Sequence, residues 1–316
     1  MKKYNKLKNI TLLGSLAVAG IYAINRTITF ICSLKDALPS TNEHTYKWRF
    51  GNIFYTKHGK GSPILLIHHL NSGSSAMEYY KLIEPLSKHH TVYALDLLGC
   101  GRSEKPKITY TSYIYVQLIN DFIKDIIQSK TDIIASGKSV SLVIQACNME
   151  KDNFHKLLFI NPENMAVSKH FPNKRKQILK YLLECPIIGT FTYNLIQSMP
   201  MVEKRFYTKY FQSPANIKRY YIDAYYQAAH LSGSNAKYLY ASLKSDYLNS
   251  NLITSLKNIN QSMYIAISSN LPDAQNTLDQ YQILNPSIES SFLNNTKHLP
   301  SLEDPESVYN ICRIFF

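Results

Sequence analysis

Two side chains that could do nucleophilic chemistry stand near the ends of predicted strands. Ser139 follows the apolar stretch "TDIIAS" and a Gly-Lys pair, and His298 stands in "NTKHLPSLEDP" near the end of the chain. A serine hydroxyl becomes a nucleophile when an imidazole takes its proton, so the question is whether these two side chains form a nucleophile and its general base. The alternative is that Ser139 only begins a helix and that His298 is a polar loop residue.

The residues around Ser139 favour a sharp turn. A strand, a turn at G-x-S and a following helix are the setting in which a serine hydroxyl is pushed out at the carboxyl end of a sheet. Backbone N–H groups at the start of that helix would face a developing oxyanion. Gly137 leaves room for the turn, and Lys138 is expected to be exposed and not catalytic.

A catalytic histidine needs a carboxylate on its far ring nitrogen, and two acids are candidates. Asp273 lies in "SNLPDAQ", after the strand that precedes the histidine strand, and is the first candidate. Glu163 in "FINPEN" follows an earlier strand and is the second choice, although it could instead only cap a helix. An outcome with neither acid near His298 would favour a non-catalytic protein.

The elements that must position these residues alternate between strands and helices. Continuous apolar runs such as "SPILLIHHL", "TVYALDLL" and "KLLFINPEN" are typical of strands buried on both faces, and helical patterns separate them. The alternation predicts an α/β fold, a mostly parallel central sheet with helices on both faces. It stops over residues 165–257, which are helical and rich in Tyr and Lys, and we interpret that stretch as an inserted helical cap.

Three motifs in this order resemble the α/β-hydrolase fold family, the superfamily of serine esterases and lipases. They are "ILLIHHLNSGSSAMEYY", the turn "DLLGCGRSEKP" with the pattern D-x-x-G-x-G-x-S-x-x-P, and "NTKHLPSLEDPESV". The resemblance covers residue 44 to the end. It implies a triad in which Ser139 is the nucleophile, His298 is the general base, and Asp273, at the position where the family commonly has its acid, is the predicted partner of His298. It also implies an oxyanion hole made by the backbone N–H groups of Leu70 and Val140. Asp96, the first residue of the second motif, is predicted to brace its turn through backbone N–H bonds.

Two positions depart from the pattern of that family. Its His-Gly pair is here His68-His69, so a side chain stands where the oxyanion loop usually bends freely. Ser141 replaces the final glycine of G-x-S-x-G. The first hypothesis is therefore a serine hydrolase that cleaves an ester or related bond of a small, apolar acyl substrate. The alternative is a non-catalytic binding protein of the same fold with a degraded active site.

Other chemistry is disfavoured by the sequence. The chain has no glycine-rich phosphate loop after a strand and no histidine spacing typical of a metal site, so we expect neither cofactor nor metal. The net charge is +13, but the basic residues are scattered and form no nucleic-acid motif, so no nucleic-acid partner is expected. Five well-separated cysteines without C-x-x-C predict buried thiols rather than disulfides.

Residues 1–43 differ from the remainder, which we interpret as one domain, 44–316. "MKKYNKLKN" carries four lysines, and the apolar run after it resumes beyond Arg26. Residues 10–34 are predicted to form a membrane anchor with a cytoplasmic N-terminus, which would leave the main domain outside the cytoplasm. A cleaved signal peptide ending near "AVA" and a buried N-terminal helix are the alternatives.

Overall fold

An eight-stranded sheet forms the centre of the protein. The computed structural model describes residues 2–34, 36–38, 41–168 and 170–316. Its strands are β1 (Glu43–Trp48), β2 (Gly51–His58), β3 (Ser62–Ile67), β4 (His90–Leu95), β5 (Thr131–Ser136), β6 (Phe154–Ile160), β7 (Ser262–Ser268) and β8 (Glu289–Leu293). They lie in the order β1-β2-β4-β3-β5-β6-β7-β8. β2 is antiparallel to both β1 and β4, and the other neighbours are parallel. The predicted fold class is confirmed.

Helices cover both faces of this sheet and fill the connections between strands. They are α1 (Lys2–Ser33), α2 (Tyr80–Ser87), α3 (Ser112–Phe122), α4 (Ser139–Met149), α5 (Met165–Ser168), α6 (Lys174–Glu184), α7 (Ile188–Ile196), α8 (Met199–Arg205), α9 (Arg219–His230), α10 (Ala236–Lys244), α11 (Ile253–Asn258), α12 (Ala274–Leu284), α13 (Pro300–Glu303) and α14 (Pro305–Phe315). Asp304 caps α14, because its side chain accepts a hydrogen bond from the N–H of Ser307.

The apolar runs of the central strands are buried on both sides. β5 has no exposed residue, and the side chains on the two faces of the sheet belong to two separate hydrophobic clusters. Burial on both faces explains why these strands read as continuous rather than alternating apolar runs. Four of the five cysteines, Cys32, Cys100, Cys147 and Cys312, are buried and outside any disulfide, as predicted.

The connection between β6 and β7 is the stretch in which the sequence stops alternating. It consists of helices α5 to α11 with short 3₁₀ and π segments, and we call it the helical segment, 165–258. Its own hydrophobic cluster is rich in aromatic residues, including Phe206, Phe211 and Tyr225. Its role as a cap stays a prediction.

The N-terminal helix α1 packs against the helical segment. Within α1, the stretch Thr11–Cys32 is long and apolar enough to cross a membrane. Asn25 is buried at the contact, where its Nδ2 donates to the carbonyl of Ile187 at 3.1 Å. The Nδ2 of Asn194 donates to the Oδ1 of Asn25 at 2.8 Å. The end of the helix therefore has a defined seat on α7.

Candidate functional site

The turn after β5 has its sharpest residue at Gly137, two positions before Ser139. Gly137 has a φ of +52°, whereas Lys138 already has helical angles, and Ser139 is the first residue of α4. A positive φ is tolerated by glycine because it has no Cβ. In a strand–turn–helix elbow the exposed position at the top of the sheet is the strained one. Here a residue without a side chain occupies that position.

Ser139 lies below the turn and is fully buried. Its Oγ donates a hydrogen bond to the backbone carbonyl of His68 at 2.6 Å, which ties the start of α4 to the end of β3. The N–H of Val140, expected in an oxyanion hole, donates instead to the carbonyl of Gly137 at 3.2 Å. Neither group faces the open space above the sheet. Ser139 therefore makes a contact within the fold, and its role as a nucleophile stays a prediction.

The imidazole of His69 fills the space above Gly137. Its Nδ1 accepts a hydrogen bond from the N–H of Lys138 at 3.1 Å, the N–H that directly follows the apex of the turn. A Cβ added to Gly137 would lie 2.1 Å from that Nδ1. A side chain at position 137 and an imidazole at position 69 therefore exclude each other in this arrangement. His69 occupies the volume in which a nucleophile would stand.

His69 is neutral at physiological pH. Burial is the main reason that the pKa of its imidazole is lowered to about 4; Glu163 opposes this shift, and the charges of His298 and Lys138 contribute to it. Because Nδ1 accepts a hydrogen bond, the single proton of the neutral ring is on Nε2. The His69 N–H donates to Oε2 of the buried Glu78 at 2.8 Å, which fixes the backbone of this loop.

His298 lies in the loop after β8 and lines the same cleft. Burial and the charge of Lys209 lower the pKa of the His298 imidazole, whereas the charge of Glu163 raises it. Asn161 holds this loop in place, because its Nδ2 donates to the carbonyl of Lys297 at 2.8 Å. His298 is thus a neutral base open to the cleft at physiological pH.

Of the two candidate acids, Glu163 is the one near the histidines. It lines the cleft and forms an ion pair with Nζ of Lys138 at 3.0 Å. Asp273 has left-handed backbone angles, is exposed at the start of α12 and is absent from the lining of the cleft. The sequence alone did not show that Asp273 lies outside the lining of the cleft, because a position after Pro272 in an irregular loop does not fix the direction of the side chain.

Lys138 is buried, so the prediction that it is exposed is wrong. Its ammonium group reaches under the helical segment, where it also donates to Oδ1 of Asn249 at 2.8 Å. A buried ammonium needs such partners because desolvation is costly. Asp96 behaves as predicted: it accepts hydrogen bonds from the N–H of Ala76 at 2.7 Å and of Arg102 at 2.8 Å.

The cleft has a volume of about 600 Å³ and lies between the carboxyl ends of the strands and the helical segment. Arg205, Lys209 and Lys244 line it from the helical side. Burial and the positive charges of Lys209 and Arg205 lower the pKa of Lys244, so these cations lie close enough to repel one another. A cluster of that kind attracts an anion. No motif marked these residues in the sequence, because their spacing along the helices is irregular.

Comparisons with known proteins agree with this architecture. A family model described as "alpha/beta hydrolase fold" matches residues 63–135. The chain is 26% identical over 142 residues to a 2-hydroxy-6-oxo-6-(2'-aminophenyl)hexa-2,4-dienoic acid hydrolase of Metapseudomonas resinovorans. That match covers 43% of the chain and 49% of the relative, so the chain spans about half the length of the curated relative it matches.

Solved structures share the fold at low sequence identity. The epoxide hydrolase CorEH has a TM-score of 0.70 at 20% identity, with 87% of this chain and 98% of that chain covered. A serine hydrolase of carbazole degradation, CarC, has a TM-score of 0.70 at 16% identity, with 86% and 97% covered. A membrane phospholipase A described as a bacterial virulence factor has a TM-score of 0.68 at 18% identity, with 100% and 98% covered.

Proposed function

We propose that the cleft above the strands of this α/β-hydrolase fold binds a small organic acid and that Ser139 is not a nucleophile there. The observation that carries this proposal is the turn after β5, whose apex is Gly137 with the His69 imidazole packed over it. Glycine has no side chain, so the residue at the apex supplies no attacking atom. The proposal corresponds to the alternative weighed from the sequence, a binding protein of hydrolase fold.

The ligand class follows from the charge of the cleft. Arg205, Lys209 and Lys244 supply positive charge, while the carboxylate of Glu163 is neutralised by Lys138. A carboxylate group on the ligand would be attracted to these cations and would find donors among them. The relative from Metapseudomonas resinovorans is named for an acidic substrate, which supports the same ligand class.

A fluorophosphonate probe tests the nucleophile. We expect no covalent labelling of the full-length protein and no change on Ser139→Ala. Labelling that disappears in Ser139→Ala would restore the predicted triad of Ser139, His298 and an acid, with its acyl substrate and its oxyanion hole at Leu70 and Val140.

Anion binding is tested by titrating a panel of small carboxylates into the full-length protein in a calorimeter. Lys209→Gln should weaken the best ligand about tenfold, because a charge-assisted contact is lost. Lys60→Gln removes one exposed lysine outside the cleft and is the matched control. Equal affinities in the two variants, or no carboxylate that binds, would contradict the ligand class.

Hydrolysis by an activated water is the second candidate function. The fold and the hydrolases among the relatives support a hydrolase, and the neutral His298 beside the charge of Glu163 favours this chemistry. Water would attack the electrophilic carbon of the bound acid while His298 takes its proton and then returns it to the leaving group. Turnover should fall strongly in His298→Gln and Glu163→Gln and stay unchanged in Asp273→Asn. A loss of turnover in Asp273→Asn would instead favour Asp273, the acid predicted from the sequence.

We also propose that α1 is the membrane anchor, with a cytoplasmic N-terminus and the domain on the other side. The support is the apolar stretch Thr11–Cys32 and the lysines that precede it. The full-length chain should stay in the membrane fraction after carbonate and high-salt washes, and its domain should be digested by protease added outside the cell. Recovery of a soluble, N-terminally trimmed protein would indicate a cleaved signal peptide instead.

A further inference from the structure

Exposed apolar side chains on α6 and α7 form a second apolar surface beside α1. On α6, Ile178, Tyr181 and Leu182 stand three and four residues apart, so they share one helix face. On α7, Ile188 and Leu195 stand seven residues apart and share a face in the same way. The two helices pack against each other. We call these five residues the apolar patch, and each is more than half exposed.

The apolar patch directly adjoins the seat of α1. Ile187 directly precedes Ile188 of the apolar patch, and its carbonyl accepts the hydrogen bond from Asn25. Asn25 lies inside the stretch Thr11–Cys32, seven residues before its end. At a rise of 1.5 Å per residue, the contact lies about 10 Å before the end of the apolar stretch. Amphipathic helices that lie in a membrane interface are buried to about the same depth, 5–10 Å.

The charges around the patch match a lipid surface. Lys174 and Arg175 are exposed one turn before Ile178 on the same side of α6. Basic side chains next to an exposed apolar and aromatic face are typical of helices that bind anionic lipid, with tyrosine at the level of the headgroups. A protein partner would not require the patch to border a helix of membrane-spanning length.

We propose that α6 and α7 insert their apolar patch into the outer layer of the membrane that α1 crosses. The proposal rests on the anchoring role of α1 and goes beyond the ligand site. It gives the domain two contacts with the lipid, which fix the tilt of the domain. Because α6 also bonds to α10 through Lys176 Nζ and the carbonyl of Lys244, the cleft lies next to the membrane surface.

The exposed thiol of Cys185, between α6 and α7, offers a direct test. The full-length protein is labelled there with an environment-sensitive fluorophore and reconstituted in vesicles of phosphatidylcholine and phosphatidylglycerol that contain spin-labelled quencher lipids. The matched control carries the label at Ile314→Cys in a Cys185→Ser background, because Ile314 lies at the far end of α14 and is highly exposed. Lipid quenching at Cys185 should exceed that at position 314 about threefold or more.

A negative charge in the patch should abolish this difference in quenching. Ile178→Glu should reduce quenching at Cys185 towards the control value, whereas Ile283→Glu, at a still more exposed isoleucine outside the patch, should not. Equal quenching at both label positions would overturn the proposal. A Cys185–Cys185 cross-link between two chains would assign the patch to a second copy and overturn it as well. Failure of the anchor is distinguishable, because the labelled chain would then leave the vesicles in carbonate.

Discussion

A side chain placed at the apex of the turn after β5 should lower the free energy of unfolding, in part because it clashes with the His69 imidazole. Gly137→Ser puts a Cβ 2.1 Å from the Nδ1 of His69, at a residue with a φ of +52°. Left-handed strain costs about 1–2 kcal/mol, overpacking about 1–3 kcal/mol and the lost hydrogen bond to Lys138 about 1 kcal/mol. We expect Gly137→Ser to lower the free energy of unfolding by about 3–6 kcal/mol in all.

The partner substitution separates the clash from the backbone strain. The three atoms nearest to the added Cβ belong to the ring of His69, and His69→Ala removes all of them. In the double variant about 2–4 kcal/mol of the loss should therefore be recovered as coupling energy. Gly233→Ser is the control for backbone strain alone, because Gly233 has a φ of +71° and no atom within 4 Å of its added Cβ.

Urea unfolding of the full-length proteins, followed by the fluorescence of the single tryptophan, Trp48, measures these differences. The double variant also carries a serine at the apex, in the cleft that His298 also lines, and should gain fluorophosphonate labelling that persists when Ser139 is changed to Ala. The reasoning fails when Gly137→Ser costs no more than Gly233→Ser, or when the effects of Gly137→Ser and His69→Ala simply add.

Two further stability predictions follow from the same turn. Ser139→Ala should lower the free energy of unfolding by about 1–2 kcal/mol, because the buried carbonyl of His68 loses its donor; an unchanged urea midpoint would contradict this. The pKa of His69 is about 4 when folded and near 6.5 when unfolded, so between these values the unfolded chain binds the extra proton and stability falls as the pH falls. His69 accounts for at most about 3 kcal/mol of this loss of stability. In His69→Asn that part of the loss should be absent when the free energies of unfolding at about pH 7 and about pH 4.5 are compared.

The fold was predictable because its signals are repeated along the chain. Every central strand is an apolar run, and Asp96 and Asp304 each accept a hydrogen bond from a nearby backbone N–H, that of Arg102 and that of Ser307. Local motifs of this kind specify turns and caps by themselves.

The site was less predictable because it depends on which residue takes the left-handed conformation. A G-x-S pattern fits a turn with its apex at the serine or at the glycine, and the choice depends on packing against His69, which is distant in sequence. The burial of Lys138 likewise depends on Asn249, which is 111 residues away. The sequence did indicate the departure at His68-His69, but not that the ring would lie over Gly137.

The seat of α1 on α7 constrains the order in which the chain can complete its structure. Asn25 and the carbonyl of Ile187 are 162 residues apart, and Asn25 and Asn194 are 169 apart. At 5–20 residues per second, about 10–30 s of synthesis separate the appearance of the helix from that of its partners. During that time the amide of Asn25 has no access to these two groups. Because a shift of one helical turn would leave the Asn194 amide without its acceptor, the register in which the finished domain meets its N-terminal helix is set only after α7 has been synthesised.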